Sequence, residues 1–146
     1  MKRWEKSITV SAPIDNVFAY VSDFSRHGEW SGNELQISRE DGGPVGVGST
    51  FSTVAKQFGT QREKSTVTQM TPPREFGWDS TGALGRVHHG FSLREASGST
   101  ALTKGAEFVE AKLLAKATMF KISRDIPAGL ESDLAKIKVA LEKHRP

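Results

Sequence analysis

Leu130, Leu134, Ile137 and Leu141 recur at i, i+4, i+7 and i+11, which lays one apolar stripe along an amphipathic helix. The opposite face carries Glu131, Lys136, Lys138 and Lys143. A helix with this pattern is unstable alone and must cover an apolar surface supplied by the rest of the chain. That surface has to be β-structure, because the middle of the chain shows a period of two. Leu35–Glu40, Thr50–Lys56, Arg62–Thr71, Glu75–Thr81, Arg86–Glu95 and Thr100–Phe108 read as strands, separated by loops and turns rich in glycine, proline and serine. Gly82–Gly85 predicts a hairpin, Pro72-Pro73 stops the strand before it, and Asp41–Gly48 reads as a loop. Short polar connections between successive strands indicate an antiparallel meander.

Two further features frame it. Trp4, Lys6, Ile8 and Val10 alternate with Glu5, Ser7 and Thr9, predicting an N-terminal strand with one mostly buried face. Ser11 and Pro13 then start a helix whose Ile14, Val17, Phe18 and Val21 share a face, and Asp23 or Ser25 caps a second short helix ending near Trp30, before a Ser31-Gly32-Asn33 turn. Near the other end, Lys112–Ile122 is helix-prone, with Leu113, Ala117 and Phe120 on one face, and Pro127 is expected to restart or kink the helix, with Asp125 as its cap.

A chain of 146 residues with 36% hydrophobic and 25% charged residues is sized for one ordered domain, taken as residues 1–146. No apolar run approaches a membrane span, and the alternation after Met1-Lys2-Arg3 is unlike a signal peptide. The absence of cysteine removes disulfides, thiolate metal sites and cysteine nucleophiles, and fits a cytoplasmic protein. Twenty basic and 17 acidic residues are interspersed, and the nearest basic cluster, Lys136, Lys138, Lys143 and Arg145, is interrupted by Glu142. Nucleic-acid binding is therefore not expected. Neither a metal site nor a cofactor is expected. Gly46-x-Gly48 lacks the strand–turn–helix setting of a phosphate loop and reads as turn geometry, and no nucleophile elbow, zinc-helix or EF-hand pattern occurs.

Ile8-Thr9-Val10-Ser11-Ala12-Pro13-Ile14-Asp15-Asn16-Val17-Phe18, the Asp23–Trp30 segment, Gly43-Pro44-Val45-Gly46-Val47-Gly48-Ser49-Thr50-Phe51 and Val67-Thr68-Gln69-Met70-Thr71-Pro72-Pro73-Arg74 together resemble the polyketide cyclase/dehydrase-like branch of the START-like (SRPBCC) superfamily. The resemblance covers essentially the whole chain. It implies an α+β helix-grip fold: a curved antiparallel sheet with two short helices and a long C-terminal helix around a cavity. Relatives use that cavity for lipids, sterols, hormones or polyketides; some are enzymes and many only bind.

Within such a cavity the strand phase selects residues. His88 and His89 are adjacent on a strand, point to opposite faces and cannot ligate one metal together. Val87, His89, Phe91 and Leu93 share the apolar face, so His89 is the candidate polar anchor or general base, against the alternative of a core histidine bonded to a carbonyl or water. Tyr20, Trp30, Phe51, Phe76, Trp78, Phe91 and Phe120 are the candidate aromatic lining, with core packing as the competing role for each. Glu107 reads as a solvated carboxylate. The leading expectation is a protein, monomeric or homodimeric, that binds or transports a small hydrophobic ligand. The alternatives are a cyclase, dehydratase or hydrolase with His89 as base, and an interaction domain. A cavity below roughly 300 Å³ would count against the first, and a His89 without an acid or hydroxyl partner would count against the second.

Overall fold

The alternating segments form strands as the period-two pattern predicts. A computed structural model describes residues 2–32, 36–56 and 60–143. Asn33, Leu35 and Arg145, which belong to the expected turn, strand and basic face, lie outside them. In chain order the elements are β1 (Arg3–Val10), α1 (Ile14–Val21), a short 3-10 helix (Phe24–Glu29), β2 (Gln36–Arg39), β3 (Thr50–Lys56), β4 (Thr60–Thr71), β5 (Glu75–Gly82), β6 (Gly85–Ala96), β7 (Ser99–Ala111), α2 (Leu113–Ala117) and α3 (Met119–Glu142). The sheet is seven-stranded and antiparallel throughout, in the order β1-β7-β6-β5-β4-β3-β2. Consecutive strands β2 to β7 are the expected six-strand meander, and β1 returns to the free edge of β7. With α3 lying across it, this is the helix-grip architecture.

Two β-bulges bend the sheet. The register slips at Thr68, between Val67 and Gln69, and at Val109, opposite the step from Arg86 to Val87. Each bulge leaves two successive residues facing outward and increases the local coil of the strand, which curves the sheet around the helix. The β5–β6 hairpin closes on Gly85, whose φ is +121° and whose missing Cβ would sit 2.0 Å from the Glu110 carbonyl oxygen. Only glycine fits where this turn meets the bulged end of β7.

The stripe on α3 is buried as predicted: Leu130, Leu134 and Ile137 are enclosed, and Leu141 packs beside them. Lys138 Nζ donates to the Thr9 carbonyl at 2.8 Å, and Glu142 Oε2 accepts from the Ser11 amide at 2.7 Å, so the helix is clasped to β1 and its exit. The expectation that the helix restarts at Pro127 is corrected. Pro127 lies inside α3, and the break falls at Thr118, where φ is −110° and ψ is 12°. There the Thr118 hydroxyl donates back to the Leu114 carbonyl at 2.7 Å, a local bond that competes with helix continuation. Across Pro127, Ile122 and Ile126 on one side and Leu130 and Leu134 on the other all pack inward. Burial worth about 1.5–3 kcal/mol per fully enclosed side chain outweighs a proline cost of about 3 kcal/mol.

Candidate functional site

The interior is not filled. Two packed clusters occupy it: one around Phe24, Phe51, Phe76, Phe91, Leu134 and Ile137, the other around Phe108, Ala115 and Ile122. Between them, under α3, lies a cavity of about 620 Å³ bordered by members of both. The sheet supplies Trp78, Val87, His89 and Ala106, the 3-10 helix and its exit supply Phe24, His27 and Trp30, and α3 supplies Ile122, Ile126 and Leu130.

One wall is a continuous aromatic array. Trp78 and His89 face each other directly in the β5–β6 register, and their rings stack with centroids 5.1 Å apart at 13°. His27 lies 4.9 Å from Trp78, 4.6 Å from Trp30 and 4.3 Å from Phe24. Flat apolar walls of this kind suit a ligand with a flat or extended apolar body.

Several of the polar groups on the border are incompletely satisfied. Lys104 comes from the inward face of β7, in phase with Leu102, Ala106 and Phe108, and Asp133 from α3. Their ion pair spans 3.6 Å between Nζ and Oδ2, and both side chains are largely buried. Asp133 Oδ1 also accepts the Gly32 amide at 3.0 Å. The ammonium sits 5.5 Å from the centre of Trp30 and 5.8 Å from that of Phe91. It makes no shorter hydrogen bond among the described residues, so its donors are mostly unspent. Burial drives the Lys104 pKa down and that of Asp133 up, each partly offset by the other's charge. Among the described residues Trp30 Nε1 is enclosed without a partner. This part of the cavity is therefore rich in donors and poor in acceptors.

Farther along the sheet the lining is hydroxylic, with Thr53, Ser65 and Ser80 beside Glu63. Ser65 and Ser80 Oγ are 3.2 Å apart. Burial raises the Glu63 pKa, opposed by a hydrogen bond from Ser80.

Both inward histidines are neutral near pH 7. His27 Nε2 donates to the Val21 carbonyl at 2.9 Å, which fixes that tautomer, since a carbonyl only accepts. Burial lowers its pKa to about 3, against the pull of that hydrogen bond, and the Lys104 charge adds to the lowering. For His89 burial again dominates, followed by Lys104, His88 and His27, and its pKa falls well below the usual range. Its Nδ1 is enclosed without a partner, and no acid or hydroxyl bonds the ring among the described residues. The condition set for a base with a partner acid is not met.

Of the residues singled out from sequence, Trp30, Trp78 and His89 border the cavity. Phe51, Phe76 and Phe91 pack behind the wall; Phe51, for example, stacks on Phe24 at 4.4 Å. Tyr20 is buried too, but its hydroxyl leaves the cavity to donate to Glu29 Oε1 at 3.2 Å, under the Arg26 guanidinium. Burial and the Glu29 charge push its pKa up to about 12. Phe120 is a correction: it is 87% exposed, because Ala115 and Ile122 are the side chains that α2 and α3 turn inward. His27, Lys104, Glu63 and Asp133 were missed. Two of them were visible as charges out of place, Lys104 in an apolar strand phase and Asp133 three residues after Leu130 on the buried stripe.

The acid partner that His89 lacks is found by its neighbour. On the outer face of the sheet Asp79 lies opposite His88, and Nδ1 donates to Asp79 Oδ1 at 2.7 Å, with Arg86 3.7 Å from the other oxygen. Glu107 borders the same shallow outer surface. Among the described residues no group of three His, Asp or Glu side chains is arranged to hold a metal ion, and no helix is long and apolar enough to cross a membrane.

Solved structures share the architecture. The Zhui aromatase/cyclase from Streptomyces sp. R1128 matches with a TM-score of 0.79 at 15% identity, over 97% of this chain and 94% of that one. TTHA0849 from Thermus thermophilus gives 0.78 at 13% identity, over 99% and 100%. The Aha1 dimer from Colwellia psychrerythraea gives 0.71 at 16%, over the whole of both chains. At these identities the likeness speaks for the fold. Among curated proteins no sequence matches this one. The family model for polyketide cyclase/dehydrase and lipid transport proteins, however, matches residues 1–142, and with the grip helix, the bent sheet and the cavity between them it shows that the chain belongs to that family.

Proposed function

We propose that this protein binds a small, largely apolar molecule in the cavity between its sheet and α3, against Trp30, Trp78 and His89. The observation that carries the reading is a space of about 620 Å³ bordered by an aromatic wall and a few under-used polar groups. That volume lies within the range of small-molecule sites, roughly 300–1,000 Å³. The pattern of polar groups adds chemistry: unspent Lys104 donors favour a ligand that places an acceptor oxygen at that end. Because Asp133 already balances the charge, the oxygen is best carried by a neutral group such as a carbonyl or hydroxyl. The descriptions of the family and of the Streptomyces aromatase/cyclase agree with a ligand of this kind.

Native mass spectrometry of freshly purified protein should reveal a co-purifying small molecule. Titration with 1-anilinonaphthalene-8-sulfonate should quench tryptophan emission, since Trp30 and Trp78 border the space. Ala106→Phe projects a ring into the cavity and should weaken probe binding about tenfold, or about 1.4 kcal/mol, while the thermal midpoint holds. Unchanged probe affinity in a folded Ala106→Phe protein would place the probe elsewhere and remove the support for this site.

Catalysis with His89 as general base is the second reading. It is favoured by one observation, a neutral imidazole bordering the cavity with an unpartnered Nδ1. It needs the ligand itself to supply the group that orients the ring.

A further inference from the structure

The segment joining the sheet to the grip helix exposes side chains that the fold does not use. Leu113 is 82% exposed and Phe120 87%, and Leu114 is exposed beside them. Ala115 and Ile122 take up the inward positions, so these three stand on the solvent side of α2 and the first turn of α3. Lys112, Lys116, Lys121 and Arg124 are exposed in the same stretch. No acidic residue falls between Ala111 and Arg124; Glu110 and Asp125 flank it, and Asp125 receives the Arg124 Nε–H at 3.1 Å. The same segment reaches the cavity, whose border includes Lys121, Ile122 and Asp125.

From this arrangement we infer that residues 112–124 dock the protein on the surface of an anionic lipid bilayer, with Leu113, Leu114 and Phe120 inserted below the headgroups and the four cations among them. Three features select this occupant. Leu113 and Phe120 are more than four-fifths exposed and so stand almost clear of neighbouring side chains, which suits a fluid surface better than a shaped protein pocket. Within residues 112–124 every charged side chain is basic, complementary to acidic headgroups. A two-fold contact with a second copy would bring the same four cations against their own counterparts, at a repulsive cost. The surface stands whether or not the cavity holds an apolar ligand. If it does, docking brings the cavity border next to a membrane.

Co-sedimentation of the full chain with vesicles tests this. The protein should pellet with phosphatidylcholine vesicles containing about one third phosphatidylserine and stay largely in solution with phosphatidylcholine alone, the bound fraction falling as salt rises. Leu113→Ser/Phe120→Ser should weaken binding to the anionic vesicles at least about tenfold, as loss of two inserted apolar side chains requires. Lys112→Glu/Lys116→Glu should weaken it similarly by charge alone. All four positions are exposed, so circular dichroism melting should match the wild type. The inference is overturned if the wild type ignores anionic vesicles, or if binding survives both double substitutions. It is equally overturned if light scattering finds a dimer that Phe120→Ser dissociates, which would make a second copy the occupant.

Discussion

Acidification from pH 7 to about pH 4 should remove about 3 kcal/mol of folding stability through His27 alone. The side chain is buried, donates to the Val21 carbonyl, and has its pKa lowered from 6.5 to about 3. A depressed native pKa means that the unfolded chain takes up the proton first. The contribution is therefore fully present above pH 6.5 and is lost as the pH falls from there towards 3. His89, shifted in the same direction, adds to the loss. Asp133 and Glu63 act oppositely: their raised pKa values penalise the fold near neutrality, and that penalty is relieved as they protonate. The His27 part is isolated with His27→Phe, which keeps an aromatic ring between Phe24, Trp30 and Trp78. At pH 7 this variant should lose about 1–2 kcal/mol with the Val21 hydrogen bond. In urea unfolding its loss between pH 7 and pH 4 should be smaller than that of the wild type by about 3 kcal/mol. Equal losses in the two proteins would show that His27 does not stay neutral in the fold.

The Lys104–Asp133 pair should behave asymmetrically when cut. Asp133→Leu leaves a buried ammonium facing Trp30 and Phe91 with no counter-charge, and should cost about 3–5 kcal/mol. Lys104→Met should cost less, because Asp133 keeps the Gly32 amide and burial already inclines it to take up a proton. The double variant Lys104→Met/Asp133→Leu should regain most of the loss, since an apolar pair leaves nothing uncompensated. Denaturation of the four proteins gives the coupling directly; additive losses would mean that the two charges do not depend on each other. The same set should separate stability from binding. The wild type should favour 2-acetylnaphthalene over 2-isopropenylnaphthalene, and loss of that preference in a folded Lys104→Met variant, with Asp133 retained, would assign it to Lys104.

Much of this architecture could be read from residue order because the physics is local. Thr50–Lys56 appears as a strand with its expected bounds, and Leu130, Leu134 and Ile137 are buried as their spacing requires. Where tertiary packing overrides local preference, residue order misleads. Pro127 does not break α3 because the apolar side chains on both sides are anchored, and Phe120 is exposed because the turn at Thr118 resets which face of the helix looks inward. The bulges at Thr68 and Val109 carry no distinctive residues, yet they set the curvature that leaves room for a cavity. The site was half legible. Strand phase puts His89 inside, but the empty space depends on how Trp30, Trp78 and α3 pack, which no periodicity encodes. Lys104 and Asp133 stood in plain view as charges on apolar faces. The Asp79–His88 pairing could likewise have been counted back from the Gly82–Gly85 turn.

The pairing of β1 with β7 constrains how the protein is made. Arg3 to Val10 lie opposite Glu107 to Thr100, and the helix that clasps β1 comes later still. During synthesis the first strand must wait for a partner about a hundred residues behind it, so it stays unpaired until the last strand has left the ribosome. The grip is then the closing event of folding, and its loops must be bridged before burial rewards them. Until then the Trp4–Val10 strand of the nascent chain is an open edge. Slowing translation should leave it more exposed to misassembly, whereas a circular permutant in which β1 follows α3, and so comes after its partner β7, should fold faster without any change in the finished structure.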